Sequence, residues 1–502
     1  IAYDIGTTGN KSCLYRLDDG VSLVAAAARR YGLTITEDGG AEQDPEDWWR
    51  SMAETTAELL ASSRLRPRDI AAVSFCSQMQ GLVLVDEAGN ALRPAMSYMD
   101  KRAAGQFEAW GNGFLPVAGV AIRKLLVSLA ETGVAAGSAK DPVFKYAWVR
   151  ENEPAVFSRI GKWLDVKDFL LLKATGRMVM TEDSAFATML YNTGRKRWSA
   201  PVCALHGVNE HHLPDIIRST DMAGTLTAEA AARLGLSTGC RVFAGAGDSA
   251  LIGIGAGSAS IGQTHVYIGT SGWVSTVTDR RLVDVSAMIA SIVGAEEGKY
   301  NYFAEMETSG KCLEWLGGIL GLGVEAMCAE AASAPAGSGG VIFMPWLPGN
   351  RCPFEDSGCR GGFFNTGLRT GRAELIRSVL EGICLHKRWM LEKQAAKIAT
   401  SETLRVAGGG ARSPLICQIL ADITGRGIER PRDPQNAGAL GAAMLMAAGL
   451  GLTESVEQAA SRITAEQTFE PDKSTAAVYE KNYRVFTKLY RSNRRHFAAL
   501  NN

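Results

Sequence analysis

The chain has 502 residues, enough for two or more large cores, and its 53 basic residues are balanced by 53 acidic ones, so neither nucleic acid nor a membrane surface is expected as a partner. Its ten cysteines are scattered without a CxxC pair or a metal-ligand cluster with histidine, which predicts reduced structural thiols. No basic segment followed by an apolar one precedes the first strand-like run, and cytoplasmic localisation is expected.

In chain order, residues 1–5 and 11–16 predict a hairpin, residues 45–62 an amphipathic helix with Trp48, Met52, Leu59 and Leu60 on its apolar face, and residues 70–75 and 81–86 two more strands. The 113–139 stretch fits no pattern. Residues 241–246 predict a short strand, and the main domain boundary is expected just before Gly245. Residues 249–278 carry no Asp, Glu, Lys or Arg, but their many glycines and polar residues predict buried helix, strand and turn rather than a membrane span. Residues 331–340 are expected to be a surface connection. Residues 404–407 predict a strand ending in Gly408-Gly409-Gly410, followed by a helix with Ser413 as N-cap, Pro414 at its first position and Gly425 as its stop. The Ala-rich run 439–448 predicts a closely packed helix, and Tyr479, Tyr483, Phe486 and Tyr490 a terminal one.

The pentapeptide Ile5-Gly6-Thr7-Thr8-Gly9 returns as Ile268-Gly269-Thr270-Ser271-Gly272. Glycine has no Cβ and tolerates positive φ, so such a turn lets main-chain N–H groups and hydroxyls close on an anion. A pair of ordinary β-turns would look the same, but Asp4 and Lys11 flank the first copy and each copy follows an apolar run. Gly245-Ala246-Gly247-Asp248-Ser249 places a carboxylate at a strand end, where it can take a proton from a substrate hydroxyl or cap the next helix. Ser77-Gln78-Met79-Gln80-Gly81 and Tyr98-Met99-Asp100-Lys101-Arg102 form a polar cluster. Gln80 and Arg102 could hold several polyol oxygens, with turn structure and an Asp100–Arg102 pair as the other reading. The triple glycine suits adenine and ribose lying against bare backbone.

Together these residues resemble the FGGY family of carbohydrate kinases along essentially the whole chain. Asp4 to Lys11 is similar to the family's first phosphate motif and Gly269-Thr270-Ser271-Gly272 to its second. Lys140-Asp141-Pro142-Val143-Phe144-Lys145-Tyr146-Ala147-Trp148 and Leu380-Glu381-Gly382 resemble its two signatures. The resemblance implies an α/β fold of two actin-like, ribonuclease H-like ATPase domains, residues 1–244 and 245–502, with ATP and sugar in an interdomain cleft. It implies Asp248 as catalytic base, Met79, Gln80, Ser249 and Arg102 with Asp248 at the sugar, and Asp4 at Mg²⁺. Along ATP it implies Thr7, Thr8, Gly9, Lys11, Thr270, Gly310, Glu314, Gly409 and Ala411. Lys140 is a further sugar-side candidate, a solvated loop lysine being the alternative.

Within the family, Gln78-Met79-Gln80-Gly81 and Asp100-x-Arg102 most resemble the xylulokinases, which implies conversion of a ketopentose such as D-xylulose to its 5-phosphate. Another polyol or ketose, such as a tetritol, glycerol or a hexulose, is the alternative, and a non-kinase actin-like ATPase is the different class. A second copy of the chain as partner is left open. Gln80 stands where xylulokinases carry His, Tyr98 where they carry Trp, and residues 367–374 are shorter than theirs. These departures fall on the expected sugar side.

Overall fold

A computed structural model describes residues 1–18, 20–111, 116–117 and 120–501, with backbone alone at 116, 117 and 120; part of the 113–139 stretch therefore lies outside the described residues. Two compact units share the chain: Ile1–Leu251 with Val293–Glu297 and Gly438–Ala459, and Ile252–Ile292 with Gly298–Ala437 and Ala460–Asn502. A single division before Gly245 does not describe them. The first crossing comes after Leu251, and the chain later returns to the first unit.

In the first unit β1 (Ala2–Ile5) and β2 (Gly9–Leu17) form the expected hairpin, continued by β3 (Val21–Arg30), and β4 (Ala72–Ser77) runs parallel to β1. At the far edge β5 (Met222–Thr225) is antiparallel to β6 (Arg241–Phe243), while β6 and β7 (Ala246–Gly247) both run parallel to β4. The order is β5-β6-β4-β1-β2-β3. Every residue of β1 and β4 is buried, as expected of strands covered on both faces. Helix Pro45–Ser63 covers the sheet with Trp48, Trp49, Met52, Thr55, Thr56 and Leu59. Asp44 caps it, its Oδ1 accepting from Glu46 N at 2.9 Å, and Pro45 opens it.

In the second unit β8 (Thr264–Ile268) and β9 (Gly272–Thr278) form the second hairpin. With β10 (Val283–Asp284), β11 (Ile289–Val293), β12 (Tyr300–Met306), β13 (Thr403–Ala407), β14 (Gly427–Pro431) and β15 (Ala465–Phe469), they give the order β10-β11-β12-β9-β8-β13-β14-β15. Without β10 and β11 this is the first sheet again, with the same order and the same strand polarity. The edge partner alone differs, arriving before its neighbour in the first unit and after it in the second.

Residues 331–340 run partly at the surface, as expected, with residues 332, 333, 335 and 339 exposed, but the segment is anchored in the second unit at Ser338. Ser338 is fully buried and its Oγ donates to Glu381 Oε2 at 2.7 Å, beside Gly337 N on Oε1 at 2.9 Å. Tyr479 of the terminal helix Ala476–Asn501 donates to the same carboxylate at 2.9 Å, and Arg377 pairs with it at 2.8 Å. The second signature is therefore a buried brace. Among the described residues no single helix is long and apolar enough to cross a membrane; residues 249–278 fold into most of helix Asp248–Gly255, a turn and the second hairpin. All ten cysteines are free thiols.

Candidate functional site

Adjacent parallel strands β1, β4 and β7 end on the same side of the first sheet, the edge at which α/β sheets bind ligands. Three loops leave there: Gly6-Thr7-Thr8, Gln78-Met79-Gln80, and the turn into Asp248. The register sets Asp4 beside Cys76 and Cys76 beside Ala246, so β1, which carries Asp4, and β7, which leads into Asp248, flank β4. The Cys76 thiol hydrogen-bonds Asp4; burial first, then the charges of Asp4 and Asp248, hold its pKa well above the usual thiol range. Lys11 stands opposite Asp4 in the hairpin, its Nζ 3.6 Å from Asp4 Oδ2. Gly438, in helix Ala437–Gly449, closes over this group: a Cβ there would stand 2.8 Å from Cys76 Sγ and 3.0 Å from Asp4 Oδ2. A helix start favours a nearby negative charge.

The first loop is held from below. Gln43 Nε2 donates to Thr7 O at 2.8 Å, and Gln78 Nε2 donates to Gln43 Oε1 at 2.6 Å, which ties the first loop to the second. Thr8 is exposed, and Thr7 Oγ1 lies 3.4 Å from Tyr98 Oη. Gly9 is demanded partly by packing, since a Cβ would stand 2.6 Å from Arg29 O on β3.

Asp248 is aimed by residues that no motif announces. Gly245 adopts φ 71°, where a side chain would also meet the Phe75 backbone, and this kink separates β6 from β7. Gly247 N donates to Asp183 Oδ2 at 2.6 Å. Asp183 is buried beside the fully buried Lys167, whose Nζ lies 2.7 Å from Asp168 Oδ1 and 2.6 Å from Ser184 Oγ. Asp248 opens helix Asp248–Gly255 from inside its first turn, its Oδ1 accepting from Ser249 N at 2.7 Å; a carboxylate has about four lone-pair sites, so this does not prevent it from taking a proton. Ser249 Oγ lies 3.0 Å from Met79 Sδ, and that thioether packs over Gly247.

Gln80 sits at φ 62°, a strained position for a residue with a side chain. Its N donates to Asp165 Oδ2 at 3.1 Å, Gly81 N donates to Oδ1 at 2.8 Å, and its carbonyl accepts from Lys145 Nζ at 2.8 Å. Burial pushes the Lys145 pKa down to about 8 and the Asp165 pKa up to about 7, nearby Asp168 adding to the latter. Arg102 is engaged elsewhere. Its guanidinium reaches Asp100 Oδ2 at 2.7 Å and Glu42 Oε1 at 2.5 Å and stacks on Trp148 at 4.6 Å, so the geometry is that of a structural pair. Lys140 lies half-buried in the turn before helix Pro142–Asn152, its backbone N donating to Ser138 Oγ at 3.3 Å.

In the second unit Thr270 is exposed at the tip of the β8–β9 loop. Its carbonyl accepts from Ser309 N at 2.9 Å, and Gly310 N donates to Gly269 O at 2.7 Å, fixing the start of helix Gly310–Leu320 against the loop. Glu314 lies on that helix's exposed face, paired with Lys311 at 2.9 Å. Of the triple glycine, Gly408 has φ 96° and both Gly408 and Gly410 crowd Ile268, while Gly409 faces open space. Ala411 is buried in the core and can offer a ligand only its backbone. Ser413, Pro414 and Gly425 cap helix Pro414–Thr424 as expected.

A profile described as the N-terminal domain of the FGGY family of carbohydrate kinases matches residues 1–255, and one described as its C-terminal domain matches residues 265–450. The chain belongs to the FGGY family of carbohydrate kinases. This kinase therefore transfers a phosphoryl group from ATP to a sugar hydroxyl, on the family's actin-like ATPase fold. It is 29% identical to the xylulose kinase of Bacillus subtilis (strain 168), over 98% of this chain and 96% of that protein. It is 28% identical to that of Escherichia coli (strain K12), over 98% of each. The structure of a xylulose kinase from Rhodospirillum rubrum aligns with a TM-score of 0.83 at 27% identity, covering 99% of both chains. A ligand-bound xylulose kinase from Lactobacillus acidophilus aligns with a TM-score of 0.88 at 24% identity over the whole of both chains, a likeness of fold.

Proposed function

We propose that this kinase phosphorylates D-xylulose, or a ketopentose close to it, with Asp248 as the base and Mg²⁺ as the metal. The reading is carried by the edge where β1, β4 and β7 end, with Asp4 on β1, Gln78-Met79-Gln80 directly after β4 and Asp248 directly after β7. The likeness to xylulose kinases over nearly the full length supports the choice of sugar.

Asp248 accepts the proton of the attacking hydroxyl, a new O–P bond forms to the γ-phosphorus, the bond to the β–γ bridging oxygen breaks, and ADP leaves. The transition state is loose, so the protein mainly positions the reactants and stabilises charge. Mg²⁺ is usually held by one or two carboxylates together with substrate phosphates. Asp4, a carboxylate near the end of β1 beside the Gly6-Thr7-Thr8 loop, fits that mode. When bound, the metal would neutralise phosphate charge. Thr7, Thr8, Gly9 and Lys11 in the first unit, and Thr270 in the second, are assigned to phosphates, with Gly310 farther along the nucleotide. Gly409 and the Ala411 backbone are assigned to adenosine, and Glu314 to the nucleotide at the exposed face of its helix. Met79, Gln80 and Ser249 line the sugar. Arg102, held by two carboxylates, is assigned to supporting that wall.

The test is ADP release from ATP across a panel of D-xylulose, L-xylulose, D-ribulose, erythritol, glycerol and hexuloses. The highest kcat/KM is expected for D-xylulose. A higher value for a tetritol, glycerol or a hexulose would reassign the substrate.

A further inference from the structure

Behind the second phosphate loop lies a charge that the reaction described above does not use. Lys387, on helix Arg372–Ala395, is 1% exposed, and its Nζ has no hydrogen-bond partner among the described residues. It rests against Gly272, where a Cβ would collide with the ammonium, and a Cβ there would also meet Ser309 Oγ at 2.9 Å. Ser309 is fully buried, its Oγ is likewise unpartnered, and it is the N-cap of helix Gly310–Leu320. An ammonium, a hydroxyl and a helix start thus converge on the back of one loop. The duplicated first unit is different here: helix Pro45–Ser63 meets its hairpin through neutral partners, Thr55 Oγ1 bonding Asn10 Nδ2 at 3.1 Å and Ser12 Oγ at 2.7 Å.

A buried ammonium without a partner is costly, whereas an apolar side chain of the same length would be tolerated. An anion brought to the front of the loop offsets that cost. We propose that Lys387 is a positioning residue for nucleoside-phosphate binding, its charge acting on the phosphates through the Gly272 backbone and the helix start at Ser309. The inference rests on the nucleotide reading of the Gly269–Gly272 loop.

The surroundings make the charge titratable. Glu305 on β12 is nearby but ion-paired with Arg351 at 3.3 Å, the Cys312 thiol on helix Gly310–Leu320 is pushed up to about 12, and the Gly272 end of β9 lies against the ammonium. On its own helix the Cys384 thiol is also pushed up, and burial lowers the His386 pKa to about 3, so both are neutral near pH 7. Burial lowers the Lys387 pKa from 10.5 to about 7. The free protein therefore loses the ammonium as pH rises through 7, and phosphate binding, which favours the charged form, raises the pKa and takes up a proton.

The experiment is calorimetric titration of the full chain with Mg·ADP and with adenosine at pH 7.0 and 8.5, in buffers of different ionisation enthalpy, for the wild type, Lys387→Met and Lys387→Arg. ADP affinity in the wild type should fall about tenfold across this range, with proton uptake, while adenosine affinity stays constant. Lys387→Met should lose both the uptake and the pH dependence, binding ADP about 10- to 100-fold more weakly at pH 7.0. Lys387→Arg should keep affinity without uptake, since guanidinium does not titrate. Uptake unchanged in Lys387→Met would overturn the proposal while leaving the nucleotide reading intact; a wild type that binds neither ligand would remove both. If the Met variant fails to fold, the lysine pKa followed by NMR in the wild type decides, an upward shift on ADP addition being expected and a constant value refuting it.

Discussion

Asp183 is the most informative residue to change, because it acts on the reaction through one backbone bond. Its Oδ2 accepts from Gly247 N at 2.6 Å, one residue before Asp248. A hydrogen bond to a charged acceptor contributes about 1.5–3 kcal/mol. If that bond holds Asp248 in its reactive orientation, its loss in Asp183→Ala should lower kcat by roughly 10- to 150-fold, at about 1.4 kcal/mol per decade. The KM for ATP should change less than about twofold, because the loss is in the transition state rather than in ground-state binding. Stability should also fall, by about 1–3 kcal/mol, since Gly247 N is left buried without an acceptor. Asp183→Asn keeps an acceptor oxygen and should lose less than about tenfold in kcat. A coupled assay of sugar-dependent ADP release, paired with urea unfolding of each variant, separates the two effects. An Asp183→Ala protein with kcat within about twofold of wild type, or one whose KM for ATP rises while kcat holds, would refute the reasoning.

Asp248→Asn should lower turnover by about 10²–10⁴-fold while ADP still binds; near-normal turnover would end its assignment as base. Gln80→His should re-rank the sugars with little change in ATP affinity, and a uniform loss across the panel would count against selectivity at this position. Glu381→Ala leaves the Arg377 guanidinium buried and frees Gly337, Ser338 and Tyr479. It should destabilise the second unit by about 3–5 kcal/mol with kcat of the folded protein unchanged, as read from urea midpoints beside activity.

The hairpins and their loops were legible because turn chemistry is local: glycines and hydroxyls between two apolar runs specify a tight reversal wherever it stands. The capped helix after the triple glycine was legible for the same reason. What holds these loops was not. Lys145 lies 65 residues from Gln80, and Asp183 lies 64 from Gly247, so their pairing is decided only when distant elements pack. Arg102 carried two readings in sequence, and Asp100 and Glu42 realise the structural one. The triple glycine was read as one surface, yet two of its members answer to Ile268 and one faces outward. The sequence signal for Lys387 is a cation on an apolar face: Leu380, Ile383, Cys384 and Leu391 define a buried helical face, and Lys387 falls on it at the i+3 and i+4 positions.

The late return of the chain to the first unit bears on its synthesis. Asp4 is made long before Gly438, which packs over its carboxylate and belongs to a segment completed only at Ala459. At about 5–20 residues per second a ribosome that has finished β7 works for roughly ten seconds or more before that segment exists. During this interval the strands of the first sheet have all been made while the Asp4 carboxylate still lacks its cover, so a nascent chain stopped between Gly272 and Gly438 carries both glycine loops without the helix that closes over Asp4.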